Sequence, residues 1–361
     1  MKSPVDSSTI TSSRRPSSSP PTVMTGFPPN CLAIMYVTIV HPTCKTIQFI
    51  KNPALKTIPM ISEALRRLLA KQHYSLVGGH SAVKPCLWLK KSLRGEGHCY
   101  KQRFYGIESH RCMQMTPAVG WCTHACVFCW RNTEHTMGVG MDSWEDPEEI
   151  VEGCFNAQRQ AISGFGGSDG VDMDRFREAQ EPSHAAISLA GEPTIYPDIG
   201  GLIECFKKRA MTTYLVTNGT LPGRLEALDT LPSQLYMSLV APDRETHRRV
   251  CAPLVSDAWD SINSTLELFP SLDTRKVIRL TAVKGWNMLD PQAYARLISR
   301  ANPDFVEVKA FMFVGGSRNR LSMDNMPSHS EVRAFAGELA GELSYEVADE
   351  KVESRVALLK R

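Results

Sequence analysis

The sequence predicts an α/β fold: a partial TIM-type (β/α)6 barrel preceded by a cysteine-rich N-terminal extension. Two observations carry that expectation. Beyond about residue 116, short apolar runs alternate with stretches of helical periodicity, the pattern of a parallel sheet with crossover helices. Ahead of and just inside that alternation, six of the eleven cysteines crowd between Cys86 and Cys129. A chain of 361 residues can bury one large core or two moderate ones, and 42% hydrophobic with 22% charged content is ordinary for a globular protein.

Residues 1 to about 30 are dominated by Ser, Thr and Pro, which predicts a disordered tail. The apolar run from Cys31 to Val40 is too short to span a bilayer, so no membrane association is expected. Met60 opens a helical pattern from Ile61 to Leu69. The expected division is therefore a tail or mis-assigned start over 1–59, an extension over 60–115, a barrel over 116–327, and a C-terminal helix and tail over 328–361. Asp146-Pro147-Glu148-Glu149 combines an N-cap, a proline at the first helical position and early acids, predicting a helix towards Ser163. Strands are predicted at Ala185–Ala190, Thr213–Thr217, Leu235–Val240, Lys276–Val283 and Phe305–Phe311, with one more ahead of Cys122. Between them, helices are predicted near Gly200–Arg209, Asp257–Leu268 and Pro291–Ser299. Ser328-x-x-Glu331 is a capping box that opens a C-terminal helix. The stretch 164–182 interrupts the alternation and reads as a lid.

The chemistry sits in the cysteines. Cys122, Cys126 and Cys129 form C-x3-C-x2-C, with Phe128 before the last. A structural zinc site wants four protein ligands, whereas three thiolates can hold a [4Fe-4S] cluster with one iron free to bind the amino and carboxylate groups of S-adenosylmethionine. This spacing is the signature of the radical S-adenosylmethionine (radical SAM) enzymes. A zinc knuckle recruiting His124 or a distant cysteine is the plainer alternative. Cys86, Cys99 and Cys112 stand thirteen residues apart, unlike the paired cysteines of zinc ribbons. A second three-ligand cluster is the simplest account, its open iron able to orient a 2-oxo acid; disulfides or plain loop residues are the alternatives. Cys154, Cys205 and Cys251 are expected to be unligated.

Lys101 follows Cys99 by two residues, and a neutral lysine amine can condense with a 2-oxo acid carbonyl. A solvated surface lysine is the commoner role for such a residue. At predicted strand ends, where barrels place their chemistry, Gly191 would allow close backbone approach and Glu192 would pair with the S-adenosylmethionine ammonium. Asn218 and Ser238 would hydrogen-bond its ribose or carboxylate, with turn or structural roles as alternatives. Glu307 and Lys309 alternate with apolar neighbours and point to the barrel interior. Net charge is only +3, but residues 60–112 carry ten Lys or Arg against three acids, a stretch suited to RNA phosphates or to a solvated face. Trp88, Trp121 and Trp130 offer stacking platforms for a base or, individually, core packing.

The register of all six cysteines, Lys101 after Cys99, Ala190-Gly191-Glu192-Pro193-Thr194, and the segment Ser317 to Pro327 (SRNRLSMDNMP) together resemble the archaeal-type tRNA 4-demethylwyosine synthases of wyosine biosynthesis, over roughly Met60 to the C-terminus. The resemblance implies two [4Fe-4S] clusters and S-adenosyl-L-methionine as cofactors. It implies that the Cys122, Cys126 and Cys129 cluster generates a 5'-deoxyadenosyl radical that takes hydrogen from N1-methylguanosine 37 of tRNA-Phe. The Cys86, Cys99 and Cys112 cluster would hold pyruvate, Lys101 would form the Schiff base, and carbons 2 and 3 of pyruvate would close the third ring. An external electron donor of flavodoxin or ferredoxin type, a cytoplasmic location and a monomer are the accompanying expectations. A zinc-stabilised RNA-binding module, and a different radical SAM enzyme with an auxiliary cluster, are the competing readings.

Overall fold

The computed structural model describes residues 61–361; expectations placed on the tail, the apolar run and a start at Met60 lie outside the described residues. In chain order the elements are α1 (Glu63–Lys71), β1 (Ser75–Val77), β2 (Ser81–Val83), α2 (Leu87–Leu93), α3 (Tyr100–Tyr105), β3 (Cys112–Thr116), α4 (Pro147–Ile162), α5 (Met173–Ala179) and β4 (His184–Ile187). There follow α6 (Ile199–Lys208), β5 (Thr212–Thr217), α7 (Pro222–Glu226), β6 (Gln234–Ser238), α8 (Arg244–Cys251), α9 (Ala258–Leu268) and β7 (Arg275–Ala282). The chain closes with α10 (Pro291–Ala301), β8 (Phe305–Ala310), α11 (His329–Leu343), β9 (Glu346–Lys351) and β10 (Val356–Lys360).

One ten-stranded sheet runs in the order β1-β2-β3-β4-β5-β6-β7-β8-β10-β9. From β3 to β8 every neighbouring pair is parallel, giving the six expected β/α units. Antiparallel pairs extend it at both ends. The strand period of two sorts the side chains. On β7, Ile278, Leu280 and Ala282 join the main apolar core, while Val277 packs on the other side with Tyr214, Tyr236 and Ile107. On β8, Val306, Val308 and Ala310 face that core and Phe305 the interior group, so Glu307, which hydrogen-bonds Tyr100 and Arg279, and Lys309 share the inner face.

The predicted caps are present. Asp146 accepts from the Glu148 amide at the head of α4, and Ser328 with Glu331 forms the capping box of α11. Three expectations need correction. Residues 328–361 are not a helix and tail: after α11 the chain makes a hairpin whose β10 pairs with β8. The segment 164–182 is not a lid but folds into α5, which braces the extension; Arg175 donates to Ser92 O at 3.0 Å, and Phe176 packs with Leu89 and Leu93. The boundary after residue 115 falls inside β3, so Cys112 stands on the first barrel strand rather than on the extension. Among the described residues no helix is long and apolar enough to cross a membrane.

Candidate active site

The loop that follows β3 carries Cys122, Cys126 and Cys129, and its shape is fixed by backbone bonds to the end of α8. Ala125 N donates to Cys251 O at 3.1 Å, Val127 N to Val250 O at 2.9 Å, and Leu254 N to Thr123 O at 2.8 Å. The three cysteines line one cavity with Gly191, Glu192 and Asn218; Ser238 lines it too. The three cysteines and the four strand-end residues predicted to surround this centre are thus brought together. A larger cavity at the opposite end of β7 and β8, beside Arg275, Lys276 and Arg361, receives none of them.

Gly191 and Glu192 act differently from expectation. Gly191 adopts φ +72°, and a Cβ there would run into the Ala118 carbonyl, so the glycine lets β4 approach the cysteine loop rather than a ligand. Glu192 is buried, and its Oε1 already accepts from Thr194 N (3.1 Å), Thr194 Oγ1 (2.6 Å) and Thr217 Oγ1 (2.8 Å). Oε2 accepts from Asn218 N at 2.7 Å and is the only part of this carboxylate with capacity left for a ligand. Asn218 Nδ2 in turn donates to Thr123 Oγ1 at 2.8 Å, tying β5 to the cysteine loop.

The residues fit an iron-sulfur cluster better than zinc. One tetrahedral zinc with Zn–S near 2.3 Å would hold its sulfurs about 3.8 Å apart. Among the described residues, the groups of three ligand atoms drawn within 4.8 Å are His124–His247–Cys251 and Glu108–His110–Glu178, and neither cysteine triad is among them. His124, the knuckle's fourth ligand, instead meets His247, Nε2 to Nε2 at 3.2 Å, both imidazoles kept neutral by burial. Cys251 is a buried partner of Cys126 rather than a bystander. Burial pushes the Cys122 thiol up to about 12, with Arg131 pulling the other way. Arg131 is itself 5% exposed, and its Nε has no hydrogen-bond partner among the described residues. A buried cation with an orphaned N–H beside three thiols suits an anionic, sulfide-rich centre.

The second triad is assembled from three elements. Cys86 and Cys99 are the N-caps of α2 and α3, Cys86 Sγ accepting from Leu89 N at 3.4 Å, and Cys112 opens β3. The nearest charges to these thiols include one another and Lys101. Lys101 is 8% exposed, so it is no surface lysine, and its Nζ lies 4.7 Å from the Tyr236 ring centroid and 5.3 Å from that of Tyr214. Burial and Arg279 lower its pKa against the pull of Glu307 and the thiols. Beneath it Glu307, wholly buried, accepts from Tyr100 Oη (3.0 Å), Tyr105 Oη (2.7 Å) and Arg279 Nε (2.9 Å). Lys309 donates to Ser354 O at 2.9 Å. Of the three tryptophans offered as platforms, Trp121 is buried in the core, Trp88 carries the amines of Lys91 and Lys351 over its ring, and Trp130 is exposed, at 39%.

A family model described as radical SAM superfamily matches residues 116–298, and one described as wyosine base formation matches residues 300–361. The S-adenosyl-L-methionine-dependent tRNA 4-demethylwyosine synthase of Pyrococcus abyssi is 54% identical over 84% of this chain and 90% of its own length. The chain belongs to the tRNA 4-demethylwyosine synthase family. The Methanocaldococcus jannaschii member is 40% identical over 83% of this chain and 97% of its length, whereas only 41% of the longer Homo sapiens member is matched. A solved structure of TYW1 with a lysine-pyruvate adduct bound superposes with TM-score 0.77 at 40% identity, covering 83% of this chain and 96% of that one. A crystal structure of archaeal TYW1 gives 0.69 at 36% identity over the same shares. The fold is the α/β radical SAM fold, and membership brings S-adenosylmethionine and a [4Fe-4S] cluster with it.

Proposed function

We propose that the protein condenses N1-methylguanosine 37 of tRNA-Phe with carbons 2 and 3 of pyruvate, forming 4-demethylwyosine, with Cys122, Cys126 and Cys129 holding the radical SAM cluster and Cys86, Cys99 and Cys112 a second one. Its wyosine-pathway family membership supports the reaction. One observation carries the two-centre assignment. Val216 on β5 lines the cavity of the first triad and also packs in the interior group that contains Cys112, Tyr214 and Tyr236, the two tyrosines that flank the Lys101 amine.

Cys122, Cys126 and Cys129 would hold the first cluster, which when bound would supply the electron for reductive cleavage of S-adenosylmethionine. Gly191, Glu192, Asn218 and Ser238 line the wall against which that cofactor would rest. Lys101 Nζ, in its neutral form, bonds to the 2-oxo carbon of pyruvate while the carbonyl oxygen leaves as water. The related structure carrying a lysine-pyruvate adduct supports this role. Tyr214 and Tyr236 hold the amine away from bulk water, and the Glu307 group fixes the helix on which it stands. Electrons come from an external donor of flavodoxin or ferredoxin type, and the protein acts as a cytoplasmic monomer.

The test is incubation of the anaerobically reconstituted, reduced protein with S-adenosylmethionine, methylated tRNA and pyruvate labelled at carbons 2 and 3. Label in the tricyclic nucleoside is expected, with about eight irons per chain for two cubanes. Lys101→Ala is expected to retain the iron and abolish incorporation. An unlabelled nucleoside from wild-type protein overturns the assignment.

A further inference from the structure

The segment Ser317 to Pro327 marks the family in the sequence, yet none of its side chains lines the cavity of the cysteine loop. Its Arg320 points elsewhere. Arg320 Nε donates to Val127 O at 3.2 Å, Nη2 to Cys129 O at 2.5 Å and to Arg131 O at 3.2 Å, and Nη1 to Thr133 Oγ1 at 3.2 Å. The same segment delivers Gly316 N to Trp130 O at 2.7 Å. Carbonyls from 127 to 131 are thereby gathered by one stretch of chain nearly two hundred residues away. That approach is tight: a Cβ at Gly315 or Gly316 would press on the carbonyl oxygens of Trp130 or Arg131. Arg320's side chain is 16% exposed, and its nearest carboxylate, Glu134, lies 3.5 Å away and is 57% exposed. Three of the four hydrogen bonds of the guanidinium thus go to backbone carbonyls, and its ion pair is with a half-exposed carboxylate.

The Arg131 side chain of the same loop donates to His124 O at 3.2 Å and Gly120 O at 3.5 Å, with Nε unpartnered among the described residues. The two carbonyls that hold the Arg131 guanidinium, those of Gly120 and His124, flank Cys122 on the loop. An iron-sulfur centre's reactivity depends on hydrogen bonds to its sulfurs and on the net charge around it. We infer that Arg320 is a positioning residue for the radical cluster: the wyosine-formation module latches the cysteine loop and so holds the Arg131 guanidinium against the cluster. The fork is essential to the latch, since a lysine ammonium cannot span the same carbonyls with fixed planar geometry.

The inference rests on the proposed assignment of Cys122, Cys126 and Cys129, and the two fail separately. Full-length protein is reconstituted anaerobically as wild type, Arg320→Lys, Arg320→Gln, Gly316→Ala, and a Cys122→Ala/Cys126→Ala/Cys129→Ala variant. Electron paramagnetic resonance is recorded with and without S-adenosylmethionine, together with a redox titration and the melting of each apo-protein. If the triple cysteine variant keeps the S-adenosylmethionine-responsive signal, the assignment itself falls. If it loses that signal, the latch predicts that Arg320→Lys melts as wild type yet shows an altered response to S-adenosylmethionine, and that Gly316→Ala, whose Cβ presses on the Arg131 carbonyl, alters that response too. Arg320→Gln is then expected to have a lower cluster potential and at least tenfold less 5'-deoxyadenosine, with the other cluster's signal unchanged. Wild-type spectra and potential in Arg320→Lys and Arg320→Gln overturn the inference. So does a collapse of apo-protein melting in Arg320→Lys, which would make the segment a support of the whole fold.

Discussion

Glu307 gathers Tyr100 Oη, Tyr105 Oη and Arg279 Nε around a carboxylate with no solvent exposure, and Arg279 also donates to Tyr100 Oη at 2.9 Å. Burial alone would drive its pKa up; Arg279 and Lys101 outweigh that and hold it down, so the ionised form is the native one. Removing one member of such a pair leaves the other buried and uncompensated. Glu307→Gln is therefore expected to destabilise the protein by about 3–5 kcal/mol, while replacing Glu307 and Arg279 together by leucine costs less than the single change. Chemical denaturation of the two variants beside wild type measures both. The inward direction of Glu307 was legible from its alternation with Val306 and Val308. Its partners were not, because Tyr100 lies 207 residues away along the chain. Glu192 teaches the reverse lesson. Its place at a strand end was legible, but the bond from Thr217 to its Oε1 arises only when β4 and β5 lie side by side.

Among the elements, those stated locally were the readable ones. The helix from Asp146 and the helix from Ser328 both carry their cap, first-turn acid and apolar stripe within a few residues. The inner strands β5 to β8 announce themselves as apolar runs because helices cover one face and the barrel interior the other. By contrast β9 reads Glu-Val-Ala-Asp-Glu-Lys, a charge-rich edge strand without an apolar run, placed by its pairing with β10. Helices α2 and α3 are short and begin at cysteines, and a thiol is not a cap that sequence patterns advertise. The capping box of α11 gives a measurable case. Ser328→Ala removes the acceptor for Glu331 N and should cost about 1 kcal/mol by thermal melting. Lys284 and then Ser328 hold the Glu331 carboxyl down at about 2. Since this folded value is depressed below the usual 4.5, the stabilisation is whole at neutral pH and is lost only as pH falls from about 4.5 towards 2. A difference between wild type and Ser328→Ala that vanishes at neutral pH would remove the capping argument.

At the scale of the whole described fold, the sheet begins at β1 and ends at β9, and the extension crosses between its two halves. Tyr100 and Tyr105 of α3 reach Glu307 on β8, Arg103 pairs with Asp349 on β9 at 2.6 Å, and Lys351 lies over the Trp88 ring at 5.3 Å. The element bearing Lys101 is thus held to the far side of the barrel by two kinds of contact. They differ in strength. The Arg103–Asp349 pair is solvent-facing, with Arg103's side chain 53% exposed, and such pairs are screened and entropically costly to order. Tyr105 Oη serves a carboxylate that no water can reach, and its loss leaves Glu307 Oε1 short of a donor. Arg103→Ala should therefore leave stability and amide exchange in α3 essentially unchanged. Tyr105→Phe should cost about 1–3 kcal/mol and speed hydrogen exchange in α3 and β8 together, because the buried hydroxyl joins them into one cooperative unit. Hydrogen-exchange mass spectrometry on the reconstituted protein distinguishes the cases. Should α3 open in Arg103→Ala while Tyr105→Phe exchanges as wild type, the surface pair and not the buried carboxylate would be what places the Lys101 helix against the barrel.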